Sequence, residues 1–318
     1  MNHFQKYLIE EFAEDYQEGY LSRREALKLI TSVSGSLLFA TSILAACTPP
    51  DTGPAGVVTQ PAAATTGAGG QAAASGEPPQ GTASADSPAV EAGDIQFEGE
   101  QAVLLGYQAR PAGEGVYPAV LVCHENRGLT EHIKDVARRL ASAGYAALAV
   151  DLLSRNGGTA ALSPDEVPGI LGNTPPEQFM QDFQSGWDFF KTQPFVDPER
   201  VGMVGFCFGG GVTWMVAANM PEVRAAVPFY GPHPPVELVA NIQAAVLAIY
   251  AGRDQRINQG IPAIEAAMQE NNKVYEKVIY PDVDHAFHND TGSRYNAEAA
   301  RDAWNRTLDW FDRYLRQA

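Results

Sequence analysis

Gly205-Phe206-Cys207-Phe208-Gly209-Gly210 stands between an apolar run at 201–204 and a segment of helical character at 211–220. A nucleophile with a glycine two residues away on each side, set between a strand and a helix, is the pattern of a nucleophile elbow. The need is steric: the chain turns so sharply that the nucleophile's own backbone is strained and its neighbours can carry almost no side chain. Here the nucleophile is a thiol. The competing reading, a buried structural cysteine, suits a residue type that is often buried, but it leaves the flanking glycines without a reason.

Outward from this turn, short apolar runs alternate with helical periodicity. Residues 102–107 read as a strand, and 118–123 form a continuous apolar run, as in a strand covered on both faces. Within 131–143, Ile133, Val136, Ala137 and Leu140 fall at helical spacing, and Gly144 supplies the stop. Buried strands follow at 146–150, 201–204, 225–229, 245–250 and 274–280, with helices at 176–192, 261–270 and 297–315. Phe179, Phe183, Trp187 and Phe190 on one helix, and Trp304, Leu308, Phe311 and Leu315 on another, read as core stripes. Such alternation implies an α/β chain with a doubly wound, mostly parallel sheet and helices on both faces. Sheets of this kind place their sites at the carboxyl ends of the strands.

Those ends carry the chemistry. His124-Glu125-Asn126-Arg127-Gly128 follows the first buried run, Asp151-Leu152-Leu153-Ser154-Arg155 the second, and Cys207 the third. Gly252-Arg253-Asp254 follows the fifth, and Asp282-Val283-Asp284-His285 the sixth. Cys207, Asp254 and His285 are thus a nucleophile, an acid and a histidine in the chain order of an α/β-hydrolase triad. A thiolate rather than a thiol attacks a carbonyl, so Cys207 needs His285 as base and the positive end of the helix after the elbow. His285 in turn needs a carboxylate to hold its tautomer. Asp254 is preferred to Asp282 and Asp284 because it directly follows a buried strand. His285 is preferred to His124 and His288 because the apolar step Ala286-Phe287 would fix its loop against the core. Cys123 lies inside an apolar strand and reads as a core residue, and His233 as a satisfied polar one.

These residues resemble the dienelactone hydrolase family, the carboxymethylenebutenolidase type of α/β-hydrolase. The resemblance covers residues 95–318 and rests on His124-Glu125, Asp151 with Arg155, Gly205-x-Cys207-x-Gly209-Gly210, Asp254 and His285. It implies the α/β-hydrolase fold, no cofactor, and hydrolysis of a small ester or lactone through a thioester on Cys207. It also implies that Glu125 holds the thiol at rest, and that the backbone N–H groups of Asn126 and Phe208 receive the oxyanion. The family binds a substrate carboxylate with two arginines. One matches Arg155, whereas the place of the other, four residues after the catalytic histidine, is taken by Asn289. Arg127, Arg256 and Arg294 are the candidates to replace it, and Arg127 stands beside Arg155 as an expected substrate contact.

The front of the chain differs in composition. Ser22-Arg23-Arg24-Glu25-Ala26-Leu27-Lys28 resembles a twin-arginine export motif, and the modestly apolar stretch at 29–46 ends in Leu44-Ala45-Ala46-Cys47, which resembles a bacterial lipobox. The expectation is a leader at 1–46 that is removed, a lipid on Cys47, and a protein anchored outside the cytoplasmic membrane. A membrane anchor left in place is the alternative, but the stretch is barely long enough to span about 30 Å of hydrocarbon. Residues 47–94, almost free of large apolar side chains, read as a disordered tether reaching on the order of 40 Å. Ahead of the arginines stand Glu10, Glu11, Glu14, Asp15 and Glu18, an acidic lead for which the sequence offers no physical reason.

Composition narrows the function classes. With 22 Lys+Arg against 38 Asp+Glu and a formal charge of -16, the chain has no basic cluster to meet nucleic-acid phosphates. Cys47, Cys123 and Cys207 are too few and too widely spaced for a disulfide framework or a structural zinc site, so no metal is expected. Two other classes compete with the hydrolase. One is a lipid-anchored binding protein for a small acidic ligand, against which the complete triad argues. The other is a redox thiol protein, which would need Cys123 as the resolving partner of Cys207.

Overall fold

In a computed structural model, which describes residues 1–47 and 87–317, the chain opens with three helices, α1 (His3–Gln17), α2 (Arg23–Ser34) and α3 (Leu37–Ala46). Their starts are written locally. Asn2 accepts from the Gln5 N–H while the Gln5 side chain returns to the Asn2 backbone, and Ser22 does the same with Glu25. Both are capping boxes, which satisfy N–H groups that a helix start otherwise leaves free. Gly35, in the left-handed region, ends α2.

Most of the expected tether lies outside the described residues, but its last part is a strand. β1 (Val90–Gly99) pairs antiparallel with β2 (Ala102–Pro111), so the folded domain begins ahead of the expected Ile95. Only Val90 and Phe97 of β1 are buried, and no continuous apolar run marks such an edge strand. There follow β3 (Tyr117–Cys123), α4 (Glu131–Ser142), β4 (Ala146–Asp151), α5 (Val167–Asn173), α6 (Pro176–Phe190), β5 (Val196–Phe206) and α7 (Phe208–Asn219). The remainder is β6 (Val223–Phe229), β7 (Ala245–Ala251), α8 (Gln255–Asn258), α9 (Ile261–Glu270), β8 (Tyr275–Tyr280) and α10 (Ala297–Phe311).

The strands form one sheet in the order β1-β2-β4-β3-β5-β6-β7-β8. Among the described residues β2 alone runs against the others. Every residue of β4 and β7 is buried, which is why these segments read as unbroken apolar runs. The α6 stripe of Phe179, Phe183, Trp187 and Phe190 is buried, as expected of a core face, and each such side chain contributes about 2 kcal/mol. On α10 the stripe is weaker, with Phe311 buried but Trp304 and Leu308 only partly so.

The first three helices do not stand apart from this body. Phe4, Tyr7, Leu8, Ile9, Phe12, Leu29, Ile30 and Val33 are all buried. α1 rests against α5 and α7, and α2 against α5. The Phe4 ring lies 4.9 Å from that of Phe208 and 5.5 Å from that of Phe179. A glycine permits the approach of α2, because a Cβ at Gly172 would stand 2.7 Å from the Val33 side chain. The acidic lead is therefore part of the folded body. Among the described residues no helix is long and apolar enough to cross a membrane.

Candidate active site

β5 ends at Phe206 and α7 starts at Phe208, which leaves Cys207 alone in the turn at φ 57° and ψ −122°. A non-glycine residue pays about 1–3 kcal/mol for such a conformation. The turn is pinned from both sides: the Cys207 N–H donates to Phe229 O at 3.1 Å, and its carbonyl accepts from the Gly210 N–H at 2.9 Å. Gly209 packs against the end of β3, where a Cβ would lie 2.4 Å from His124 O. We expect Gly209→Ala to push the elbow off β3 and to lower the melting temperature by about 5–10 °C. Scanning calorimetry checks this, and an unchanged transition would mean that the sheet yields without cost.

Two further strand ends bring their residues to the thiol. His285, after β8, shares a 2.6 Å hydrogen bond between its Nδ1 and Asp254 Oδ2. Asp254, after β7, also caps α8 by accepting from the Ile257 N–H at 3.1 Å, so its carboxylate is held at both oxygens. The loop bearing His285 is anchored by the fully buried Phe287. His285 Nε2 and Cys207 Sγ belong to a set of three atoms within 4.8 Å of one another, the third being a Glu11 carboxylate oxygen. A divalent ion could sit among them only by taking both the nucleophile and the base out of service.

The electrostatics follow from this packing. Burial works against a charge on His285, but the Asp254 carboxylate and the nearby thiol push its pKa well above the usual histidine range. Burial likewise opposes ionisation of Asp254, yet the His285 charge and hydrogen bond hold its carboxyl below the ordinary range. The Cys207 thiol is pushed up, first by burial and then by the Glu11 carboxylate, with His285 acting the other way.

The competing residues have other work. Asp282 is exposed, and Asp284 lies 3.5 Å from Arg253. His124 ties β3 to β4 by accepting from the Leu152 N–H at 3.2 Å. His288 is buried and stacks on Phe206, and His233 meets the Tyr250 hydroxyl at 2.8 Å. Cys123 is buried in β3, where burial raises its thiol well above the usual range.

Around the triad the picture departs from the expected contacts. Glu125 accepts from Asn289 Nδ2 at 2.5 Å, so Asn289 positions this buried carboxylate, and the thiol finds its partners elsewhere. Arg155 is joined to the buried Asp182 at 2.8 Å, and Arg127 reaches the carbonyl of Pro164 at 3.4 Å. Neither hydrogen bond leads to Cys207. Asn126, expected as an oxyanion donor, gives its side-chain Nδ2 to Glu11 Oε1 at 3.0 Å. Phe208, the other expected oxyanion donor, opens α7 with its N–H in the helix's unpaired first turn.

Two residues at the thiol were not legible as site residues. The Tyr7 hydroxyl donates to Cys207 Sγ at 3.3 Å, and the thiol donates to Glu11 Oε1 at 3.4 Å. Phe4, Tyr7, Glu11 and Asp15 recur at helical spacing, which signals one face of a helix. The spacing says nothing of what that face would cover.

Comparison with known proteins places the architecture. Residues 104–315 match the model of the dienelactone hydrolase family. A curated protein of Methylorubrum extorquens named as a carboxymethylenebutenolidase is 38% identical over 248 residues, spanning 74% of this chain and 85% of its own. One from Salmonella typhi bearing the same name is 34% identical over 242 residues, 71% of this chain and 88% of its own. A Klebsiella pneumoniae crystal structure assigned as a dienelactone hydrolase superposes with a TM-score of 0.67 at 32% identity, covering 71% of this chain and 100% of that one. The whole Klebsiella chain thus corresponds to part of this one, and the shared architecture is the α/β-hydrolase fold.

Proposed function

Because the chain belongs to the dienelactone hydrolase family and is a hydrolase of that type, we propose that it cleaves carboxylic esters or lactones with a Cys207–His285–Asp254 triad, through a thioester intermediate. The observation that carries this reading is the 2.6 Å His285–Asp254 hydrogen bond beside a cysteine held at positive φ between strand and helix. His285 takes the thiol proton, and the thiolate adds to the acyl carbon. The resulting oxyanion is received by the backbone N–H groups of Asn126 and Phe208, each worth about 3 kcal/mol in acyl-transfer enzymes. The alkoxide leaves with the proton held by His285. Water, deprotonated by His285, then attacks the thioester and releases the acid and the thiol.

The substrate end is less demanding than a two-arginine clamp. Asn289 is committed to Glu125 and Arg155 to Asp182, which favours a neutral ester or lactone, or one with a single carboxylate. The test uses residues 87–318, which hold the whole eight-stranded sheet and the stretch 104–315 that matches the family model. These are mixed with a small aryl ester and quenched in acid, and peptides are weighed. The acyl mass is expected on the peptide carrying Cys207, and turnover with no acylated cysteine at any time would sink the mechanism.

We further propose that the first 46 residues address the protein for export and that Cys47 carries a lipid. Arg23 and Arg24 are exposed in the first turn of α2, where the helix dipole disfavours cations, so folding gives no reason for them. The expected result is that Cys47→Ala releases the protein from membranes. Retention of that variant after high-salt washing would favour an anchor left in place.

A further inference from the structure

The mouth of the site is closed by the chain's own first helix. Glu11, 4% exposed, lies with Oε1 3.0 Å from Asn126 Nδ2, 3.4 Å from Cys207 Sγ and 3.8 Å from His285 Nε2. One turn earlier on the same face, Tyr7 donates to the thiol. One turn later, Glu14 pairs with Arg256 at 2.9 Å and Asp15 with Arg294 at 2.8 Å. The Arg256 guanidinium also lies over the Tyr7 ring, 4.6 Å from its centre. Positions 7, 11, 14 and 15 form one helical stripe, and every member of it meets a group at or beside the triad. Cys207 is left only 3% exposed.

We propose that α1 is an internal inhibitor of the Cys207 site, with Glu11 filling the space of the substrate's acyl group, so that the enzyme works only after the three leading helices move away. The inference rests on the hydrolase reading for its meaning, though not for its test. Attack needs a carbonyl carbon about 3–3.5 Å from the sulfur, and a Glu11 oxygen already stands at 3.4 Å. A carboxylate there is inert, because it is the group the reaction itself releases. Glu11 therefore resembles a tethered product. The carboxylates of Glu14 and Asp15 hold the helix in register, and Phe4 seats its start on Phe208. If the leader is cut before Cys47, as proposed above, the cut removes address and plug together.

The test uses the full chain and its Glu14→Lys/Asp15→Lys variant, which sets cations against Arg256 and Arg294 and alters no group of the triad. Labelling of each cysteine by iodoacetamide is followed by peptide mass spectrometry, with buried Cys123 reporting that the fold is intact. Cys207 is expected to label at least tenfold faster in the variant, and ester hydrolysis to rise with it. Adding Arg256→Glu and Arg294→Asp to the variant should restore slow labelling. Equal Cys207 labelling in wild type and variant, with Cys123 protected in both, would overturn the proposal. A second measurement does not depend on that variant: a peptide of residues 1–34 should slow labelling of Cys207 in residues 87–318, and no slowing at millimolar peptide would also overturn it. Faster labelling without any ester hydrolysis would leave the plug standing and remove the hydrolase reading alone.

Discussion

Cys207→Ala, introduced into residues 87–318 so that no leader covers the site, is expected to lower kcat for a small aryl ester by about 10⁴-fold or more. The thiol is the one atom that forms the acyl bond, and a methyl group cannot replace it. The oxyanion donors and the pocket survive, so a residual rate about 10³-fold over water is expected to remain. The effect is also expected to be non-additive: once Cys207 is gone, His285→Ala should cost almost nothing more, because a base without its nucleophile has no proton to take. Steady-state kinetics on the two single variants and the double variant measure this. Independent, multiplying losses would show that the two residues do not act as a unit.

Asp254→Asn is the second large effect, with kcat expected to fall by about 10³–10⁴-fold. Asparagine still caps α8 by accepting from the Ile257 N–H, so the loss isolates the charge beside His285. Without that charge His285 loses the main influence that holds it above the usual histidine range against burial, and the acid limb of the rate profile, where His285 must shed its proton to act as base, should move to lower pH. Stability follows the same couple. The depressed carboxyl of Asp254 contributes stability that is complete above the ordinary carboxylate range and is lost as pH falls through its lowered pKa. The raised His285 contributes stability that is complete below the ordinary histidine range and is lost as pH rises through its elevated pKa. The pair therefore stabilises the fold between those two limits, and the variant should flatten the urea midpoint across that window. A profile and a midpoint curve identical to wild type would show that Asp254 does not govern His285.

Much of the site was legible because its parts lie at strand ends, and strands covered on both faces announce themselves as apolar runs. Cys207, Asp254 and His285 each follow such a run, and a parallel sheet brings all such ends to one edge. Ala286-Phe287 pointed to the histidine that the fold brings beside Cys207, for a packing reason that holds, since Phe287 is buried. β1 was illegible because an edge strand with two buried side chains has no apolar run. The partners of Glu125, Arg155 and Arg127 were illegible for another reason. Asn289, Asp182 and Pro164 are far from them in sequence, and hydrogen bonds between distant positions leave no local pattern.

By itself the sequence determined the doubly wound sheet, the elbow and the order in which Cys207, Asp254 and His285 follow strand ends, because burial period, turn sterics and strand ends are local properties written residue by residue. It also marked the acidic lead and left it unexplained. Only the tertiary structure decided where that lead lies. Glu11 stands 196 positions from Cys207 in the chain, and Tyr7, Glu14 and Asp15 find their partners at similar separations. Their contacts exist because Phe4, Leu8, Phe12, Leu29 and Val33 are buried, and burying that apolar face carries the helix to the mouth of the site.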